Sequence, residues 1–222
     1  PRLVPKATKI KEISYDEMLE MASSGSKVMQ SRSVEFAKKF GVVFEVRSSF
    51  NQNPGTIVKE ETESMEAVVV RGVSIEKNQA KVTIAAVPDK PGTAARIFTT
   101  VAAAGLIIDM IVQNASVAGT TDISFTLSKD ELPKAKAALE PVVREVGARE
   151  LLSQDGIAKL SIVGIGMRSH SGVAAKLFEA LSSGGINIQM ITTSEIKTAV
   201  IIEESRIAEA ATLVHTAFGL DQ

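Results

Sequence analysis

The stretch Gly164–Phe178 reads GIGMRSHSGVAAKLF, with glycines and small polar residues between a strand-like run and a helix-like run. Such a turn can hold a phosphate. The dinucleotide fingerprint needs a third glycine where Ser169 stands, and a P-loop needs Lys-Ser/Thr where Val173 follows Gly172. What remains is one glycine at the start of a helix after a polar turn. The first N–H groups of a helix lack intrahelical partners and carry partial positive charge, which suits a carboxylate as well as a phosphate. A turn like this also forms as plain strand-to-helix punctuation.

The same arrangement occurs earlier as VPDKPGTAARIF, residues 87–98. In each copy the strand that follows carries polar groups: Asp109, Gln113 and Asn114 in the first, and Asn187, Gln189, Ser194 and Glu195 in the second. Asn and Asp are disfavoured in such apolar strands. They either face solvent on an open sheet edge or receive the α-amino group or side chain of a small ligand. The pairing of turn and polar strand in two copies favours the ligand. His170 and His215 have no clustered partner and read as non-catalytic. Met110, Met167 and Met190 read as core or pocket wall. No nucleophile–base pair, metal-ligand spacing or carboxylate dyad stands out.

These residues sit in an internal repeat. Gly92–Ile111 aligns without a gap on Gly172–Ile191, 80 residues on, with Gly92, Ala94, Ala95, Phe98, Gly105, Ile108, Met110 and Ile111 recurring identically. Each copy reads strand, turn, helix, glycine stop, strand. A further strand follows (Asp122–Leu127; Thr198–Glu203), then a second helix (Asp130–Val146; Ile207–Phe218), with a capping box expected at Ser128–Glu131. That order is the ferredoxin-like βαββαβ plan. The first copy has a closing strand at Arg149–Ser153. The second has none after Phe218, and Ala67–Ile75 is a spare strand of the right length. The first copy is therefore expected to be inserted in the second. Lys77-Asn-Gln reads as a turn and Lys81–Val87 as a strand.

The chain has 222 residues, which allows one large or two small domains. Its net charge of −1 gives no basic face for nucleic acid or membrane. Aromatic residues are 4% of the total and absent from 107–114 and 186–194, where an RNA-binding ferredoxin-like domain would need them for base stacking. There are no cysteines, so thiolate chemistry and disulfides are excluded, and a reducing cytoplasm is the expected location. No apolar run approaches the ~20 residues of a membrane span, and no signal-peptide pattern is visible. Position 1 is Pro, which leads us to expect a truncated or processed chain or an ordered fragment.

Before the repeats, Ser14 and Glu17 form a capping box for a helix reaching about Ser23 and stopping near Gly25. A second helix is expected over Lys27–Phe40, with Val28, Val34, Ala37 and Phe40 on one stripe. Val42–Val46 reads as a strand, Asn51–Gly55 as a turn cluster and Thr56–Ser64 as a charged linker.

VPDKPGTAARIF, IIDMIVQN, GIGMRSHSGVAAKLFEAL and INIQMITTSEI resemble the tandem ACT domains of the aspartate kinase family. ISYDEMLEMASSGSKVMQSRSVEFAKKFGVVFEVRSSF resembles the end of that family's catalytic domain, an amino-acid-kinase fold. The resemblance implies an α+β chain: 1–50 the end of the kinase domain, 51–64 a linker, 78–154 an inserted first ACT domain, and 65–77 with 155–222 the second. It implies a parent enzyme that phosphorylates L-aspartate with ATP and Mg, at the entry to lysine, threonine and methionine synthesis. The phosphate- and aspartate-binding segments of that family lie in an N-terminal part not present in this sequence. The chain alone is thus expected to be inactive and to hold no cofactor or metal of its own.

The resemblance also implies L-lysine and/or L-threonine as feedback effectors and a homodimer formed through the ACT domains. A threonine-like site would use Asp89, Gly92, Thr93, Ala94 and Gln113, with Asn187 and Ile188 from the other repeat. A lysine-like site would use Met167, Ser169, His170, Gly172, Val173, Ser194 and Glu195, with Asp109. A lysine ammonium suits Glu195 and Asp109, whereas threonine needs only neutral partners. Ser171 departs from the family's proline and would allow a looser turn. The alternative is a stand-alone amino-acid sensor or dimerisation module, which would have no need of the kinase-like segment.

Overall fold

The computed structural model describes residues 3–26, 28–116 and 118–221. Contacts divide the chain into two units, Lys77–Ala158 and the sequence-discontinuous Pro1–Glu76 with Lys159–Gln222. The sequence placed the insert at 78–154; the contacts place it at 77–158.

The N-terminal segment opens with β1 (Glu12–Ser14), α1 (Tyr15–Ser23), α2 (Ser31–Lys39), β2 (Phe44–Val46), β3 (Thr56–Lys59) and α3 (Glu63–Glu66). The capping box forms as expected: Glu17 N–H donates to Ser14 Oγ, and Ser14 N–H donates to the Glu17 carboxylate. Residues 56–59, expected in a linker, instead form the middle strand of a three-stranded sheet, parallel to β1 and antiparallel to β2. Val58 is fully buried there with Ile13, Tyr15, Met18 and Val34. Only tertiary pairing reveals so short a strand. The second helix is also shorter than expected: it starts at Ser31, and Lys27 lies outside the described residues. Of its expected apolar stripe only Val34 is fully buried, while Val28 and Phe40 are exposed.

β4 (Gly72–Pro88), α4 (Thr93–Ala103), β5 (Ile108–Gln113), β6 (Thr120–Ser128), α5 (Leu132–Val146) and β7 (Glu150–Val163) follow, then α6 (Val173–Ser183), β8 (Met190–Thr193), β9 (Lys197–Glu203) and α7 (Ile207–Ala217). In the unit 77–158 the sheet order is β5-β6-β4-β7, the ferredoxin-like order. Val82, Ile84, Ile123 and Phe125 from the strands share one core with Ile97, Val101, Leu139 and Val142 from the helices. Phe98 meets Phe125 edge-on, with ring centroids 5.8 Å apart.

In the other unit the order is β4-β7-β9-β8, and the closing strand comes from residues 72–76. Arg71 N–H donates to Val163 O at 2.7 Å where this pairing begins. Leu160, Ile162, Leu177, Leu181, Ile201 and Val214 are fully buried. The strand expected at 67–75 thus starts later, at Gly72. The turn expected at Lys77-Asn-Gln does not reverse the chain: Asn78 takes φ 63 and β4 continues to Pro88. The closing strand expected at 149–153 runs on to Val163. The capping box expected at Ser128–Glu131 does not form, because residues 129–131 wind into a 3-10 turn and Ser128 Oγ accepts from Asn78 Nδ2 instead.

Candidate functional site

Both repeats start their first helix in the same way. Gly92 has φ 95 and Gly172 has φ 82, left-handed values that suit glycine. Arg96 N–H donates to Gly92 O and Lys176 N–H donates to Gly172 O, at 2.9 and 3.0 Å. No side chain caps either helix, and in the first repeat the Thr93 N–H donates to Lys90 O at 3.2 Å, which leaves the amides after it to water or a ligand. Ser171 stands in place of the first repeat's Pro91, and Gly172 after it keeps the left-handed φ.

In the unit 77–158, Asp89, Gly92, Thr93, Ala94 and Gln113 lie at one end of the sheet. Asp89 N–H donates to Gly119 O (3.0 Å), Pro88 pairs with Thr120, and Gln113 pairs with Ile123. Thr121 Oγ1 donates to Asn114 O at 2.7 Å. The turn before α4 and the end of β5 therefore flank the start of β6. A β-bulge precedes the turn: Ala86 takes φ 51 and its N–H donates to Asp122 Oδ1 at 2.8 Å. Asp109, Ile111 and Gln113 are exposed on the outward side of β5, and Met110 is buried.

In the other unit, Met167, Ser169, His170, Gly172 and Val173 share one turn, which the hairpin carrying Ser194 and Glu195 adjoins. Gly164 N–H donates to Ile196 O (2.9 Å), and Arg168 Nε lies 3.5 Å from Glu195 Oε2. Arg168 Nη1 also donates to both Glu61 carboxylate oxygens, at 3.2 and 3.1 Å. Glu195, assigned by resemblance to a lysine ammonium, already has a cationic neighbour. His170 Nδ1–H donates to Gly166 O at 2.8 Å and Ser169 Oγ donates to the same carbonyl at 3.3 Å, so both side chains brace the turn. Asn187 and Ile188 lie at the opposite end of β8 from Ser194 and Glu195.

A cavity of about 500 Å³ opens beside the second turn, between Ala67–Val70, His170–Val173, Lys176 and Phe218–Leu220. Lys176 Nζ sits over the Phe218 ring at 5.1 Å. An uncapped helix start with a nearby ammonium is a carboxylate receptor in electrostatic terms. A larger cavity, about 690 Å³, is lined by Val4, Met21, Val73, Ala211 and His215 among others and touches none of the expected site residues. Burial there lowers the His215 pKa from its ordinary value, opposed by Asp221. Among the described residues no group of three or more His, Cys, Asp or Glu is placed to hold a metal, and no helix is long and apolar enough to cross a membrane.

A family model described as ACT domain matches residues 82–141 and 160–218. The aspartate kinase of Pseudomonas putida is 50% identical over 222 residues, covering 100% of this chain and 54% of that protein. The regulatory subunit of aspartate kinase from Thermus thermophilus, solved in ligand-free form, is 41% identical, with a TM-score of 0.64 over 68% of this chain and 99% of that one. This chain belongs to the aspartate kinase family. The aspartate kinase of Clostridium acetobutylicum, at 24% identity, shares its fold with a TM-score of 0.88 over 99% of this chain and 51% of that chain. The chain spans about half the length of the curated aspartate kinases it matches, and its repeats are that family's tandem ACT domains.

Sequence reasoning missed Arg168, Glu61 and Lys176 at the second turn. Arg168 and Lys176 lie inside the quoted motifs, but nothing in their spacing signals a partner more than 40 residues away. Glu61 sat in the supposed linker.

Proposed function

We propose that this chain is the regulatory region of an aspartate kinase and that its turn–helix sites bind L-lysine and/or L-threonine as feedback effectors. The observation that carries this reading is the duplicated, uncapped helix start at Gly92 and Gly172. The effector's carboxylate takes the first-turn amides, and in the second repeat Lys176 adds charge. Its α-amino group takes side-chain acceptors such as Gln113 or Asn187. A lysine side chain adds an ammonium that suits Asp109 or Glu195. The enzyme containing this chain transfers phosphate from ATP, with Mg, to the side-chain carboxylate of aspartate in the cytoplasm. The chain itself supplies regulation, and second copies associate through the ACT edge strands β5 and β8.

Gln113→Ala and Asn187→Ala test the sites. A hydrogen bond to a charged group is worth about 1.5–3 kcal/mol, so each variant should bind threonine roughly tenfold more weakly or worse, with lysine binding less affected. Threonine affinity equal to the parent's in calorimetry, for both variants, overturns the residue assignment. Aspartyl phosphate formed by the purified chain alone would overturn the purely regulatory role.

The Thermus thermophilus relative is described as a regulatory subunit, which favours a second reading: a sensor chain that acts on a separate catalytic chain. Co-purification with an independently encoded kinase chain would select it.

A further inference from the structure

Helix α1 belongs to the kinase-like segment, yet two of its carboxylates grip the two segments that form the second effector turn. Glu17 is completely buried. Its Oε2 accepts from Ser14 N–H and Oγ within the capping box, both at 3.1 Å. Its Oε1 is used elsewhere: it accepts from Ile165 N–H at 3.1 Å and lies 3.6 Å from Arg71 Nε. Ile165 opens the 3-10 turn Ile165–Arg168, which runs directly into Ser169–Val173. One helical turn later, Glu20 pairs with Lys197 Nζ at 2.8 Å. Lys197 begins β9 just after Ser194 and Glu195, and its carbonyl accepts from Ser194 N–H at 2.7 Å.

The turn is also held by packing on Met65, Ile196 and residues 69–71. Ile165 is buried with Met65 and Ile196. Gly164 packs so closely on residues 69–71 that a Cβ there would stand 2.3 Å from Val69 O. Separating α1 from the turn would leave the Glu17 carboxylate buried beside an unpaired amide, which is costly in a low-dielectric interior.

We infer that Glu17, with the Glu20–Lys197 pair, is the coupling that carries effector occupancy of the 166–173 turn to the kinase-like segment. This inference rests on the effector reading above and names how that site regulates. The carboxylates touch no effector; they are positioning residues. Coupling in this sense requires that effector binding favours one arrangement of the turn and helix over another. The shared hydrogen bond and ion pair make that arrangement common to both.

The test uses the full-length kinase containing this chain, with Glu17→Gln, Glu20→Gln and Lys197→Met. Glu17→Gln keeps the shape but replaces an all-acceptor group with one that presents N–H towards Ser14 or Ile165. The Glu20–Lys197 pair is partly exposed, so those two variants keep the inference open to refutation if Glu17→Gln fails to fold. Calorimetry should show lysine or threonine affinity within about threefold of the parent in all three. Inhibition at saturating effector should fall, with residual activity raised about tenfold. In the 222-residue chain, effector binding should slow amide exchange in both α1 and 165–168 of the parent, but in Glu17→Gln only in 165–168. A merely structural role would lower thermal stability and leave the extent of inhibition at saturation unchanged. Full inhibition in the folded variants overturns the inference. So does loss of binding in step with inhibition, which would make these residues part of the site's integrity. If the parent kinase binds neither amino acid, the effector reading fails first and the coupling falls with it.

Discussion

Gly164→Ala is expected to be the most damaging small substitution at the second turn, for a reason unrelated to glycine's backbone freedom. Gly164 has φ 176, ordinary extended backbone. Its constraint is space: an added Cβ meets Val69 O at 2.3 Å, Val70 Cα at 2.8 Å and Arg71 N at 3.0 Å, all of them main-chain atoms. The turn and residues 69–71 would have to separate. That movement strains Arg71 N–H to Val163 O (2.7 Å) and Gly164 N–H to Ile196 O (2.9 Å). Overpacking costs about 1–3 kcal/mol and a lost buried hydrogen bond about 1 kcal/mol, so a total near 3 kcal/mol is expected. At about 2–4 °C per kcal/mol for a chain of this size, the thermal midpoint should fall by roughly 6–12 °C. Gly172→Ala is the contrast: nothing lies within 4 Å of its Cβ and only the positive φ is strained, a cost of about 1–2 kcal/mol. Differential scanning calorimetry of both variants decides the matter. A Gly164→Ala midpoint within ~2 °C of the parent, or above that of Gly172→Ala, refutes the packing argument.

Asp122→Ala removes the acceptor for Ala86 N–H in the bulge before the turn at Asp89–Gly92. It should lower stability by about 1 kcal/mol and weaken threonine binding, with Asp122→Asn restoring both; denaturant unfolding and calorimetry read the two effects. Burial holds the His215 pKa below its ordinary value, so the unfolded chain takes up that proton at higher pH than the folded chain does. The contribution is therefore fully present above about pH 6.5 and is lost as the pH falls below it. The midpoint should drop between pH 7.5 and 5.5 by more in the parent than in His215→Gln, and an equal drop would contradict the assignment.

Much of the fold was legible because the repeat carries its own punctuation. Gly92 and Gly172 mark two helix starts, and both take a positive φ that glycine serves well. The missing closing strand of the second repeat pointed correctly to residues before the first. The errors arose where distant pairing overrides local preference. Lys77-Asn78-Gln79 has turn composition, yet Asn78 absorbs its positive φ within a continuous strand. Thr56–Lys59 is a strand only because β1 and β2 flank it. Glu17 was readable as half of a capping box, but its second role towards Ile165 joins residues 148 positions apart, and no local pattern encodes that. The candidate residues read from the sequence fall on two turns and two polar strands. The charges around them were not legible, since Arg168, Glu61 and Lys176 acquire meaning only from the neighbours the fold gives them.

The central claim, that the duplicated turns bind amino-acid effectors, is tested most directly by isothermal calorimetry of this chain with L-lysine and L-threonine, separately and together, with D-threonine as control. The account predicts saturable binding of at least one L-amino acid at up to millimolar concentration, weakened by Gln113→Ala or by Gly172→Ala according to the turn that it occupies. No saturable heat from either amino acid, alone or combined, would contradict it.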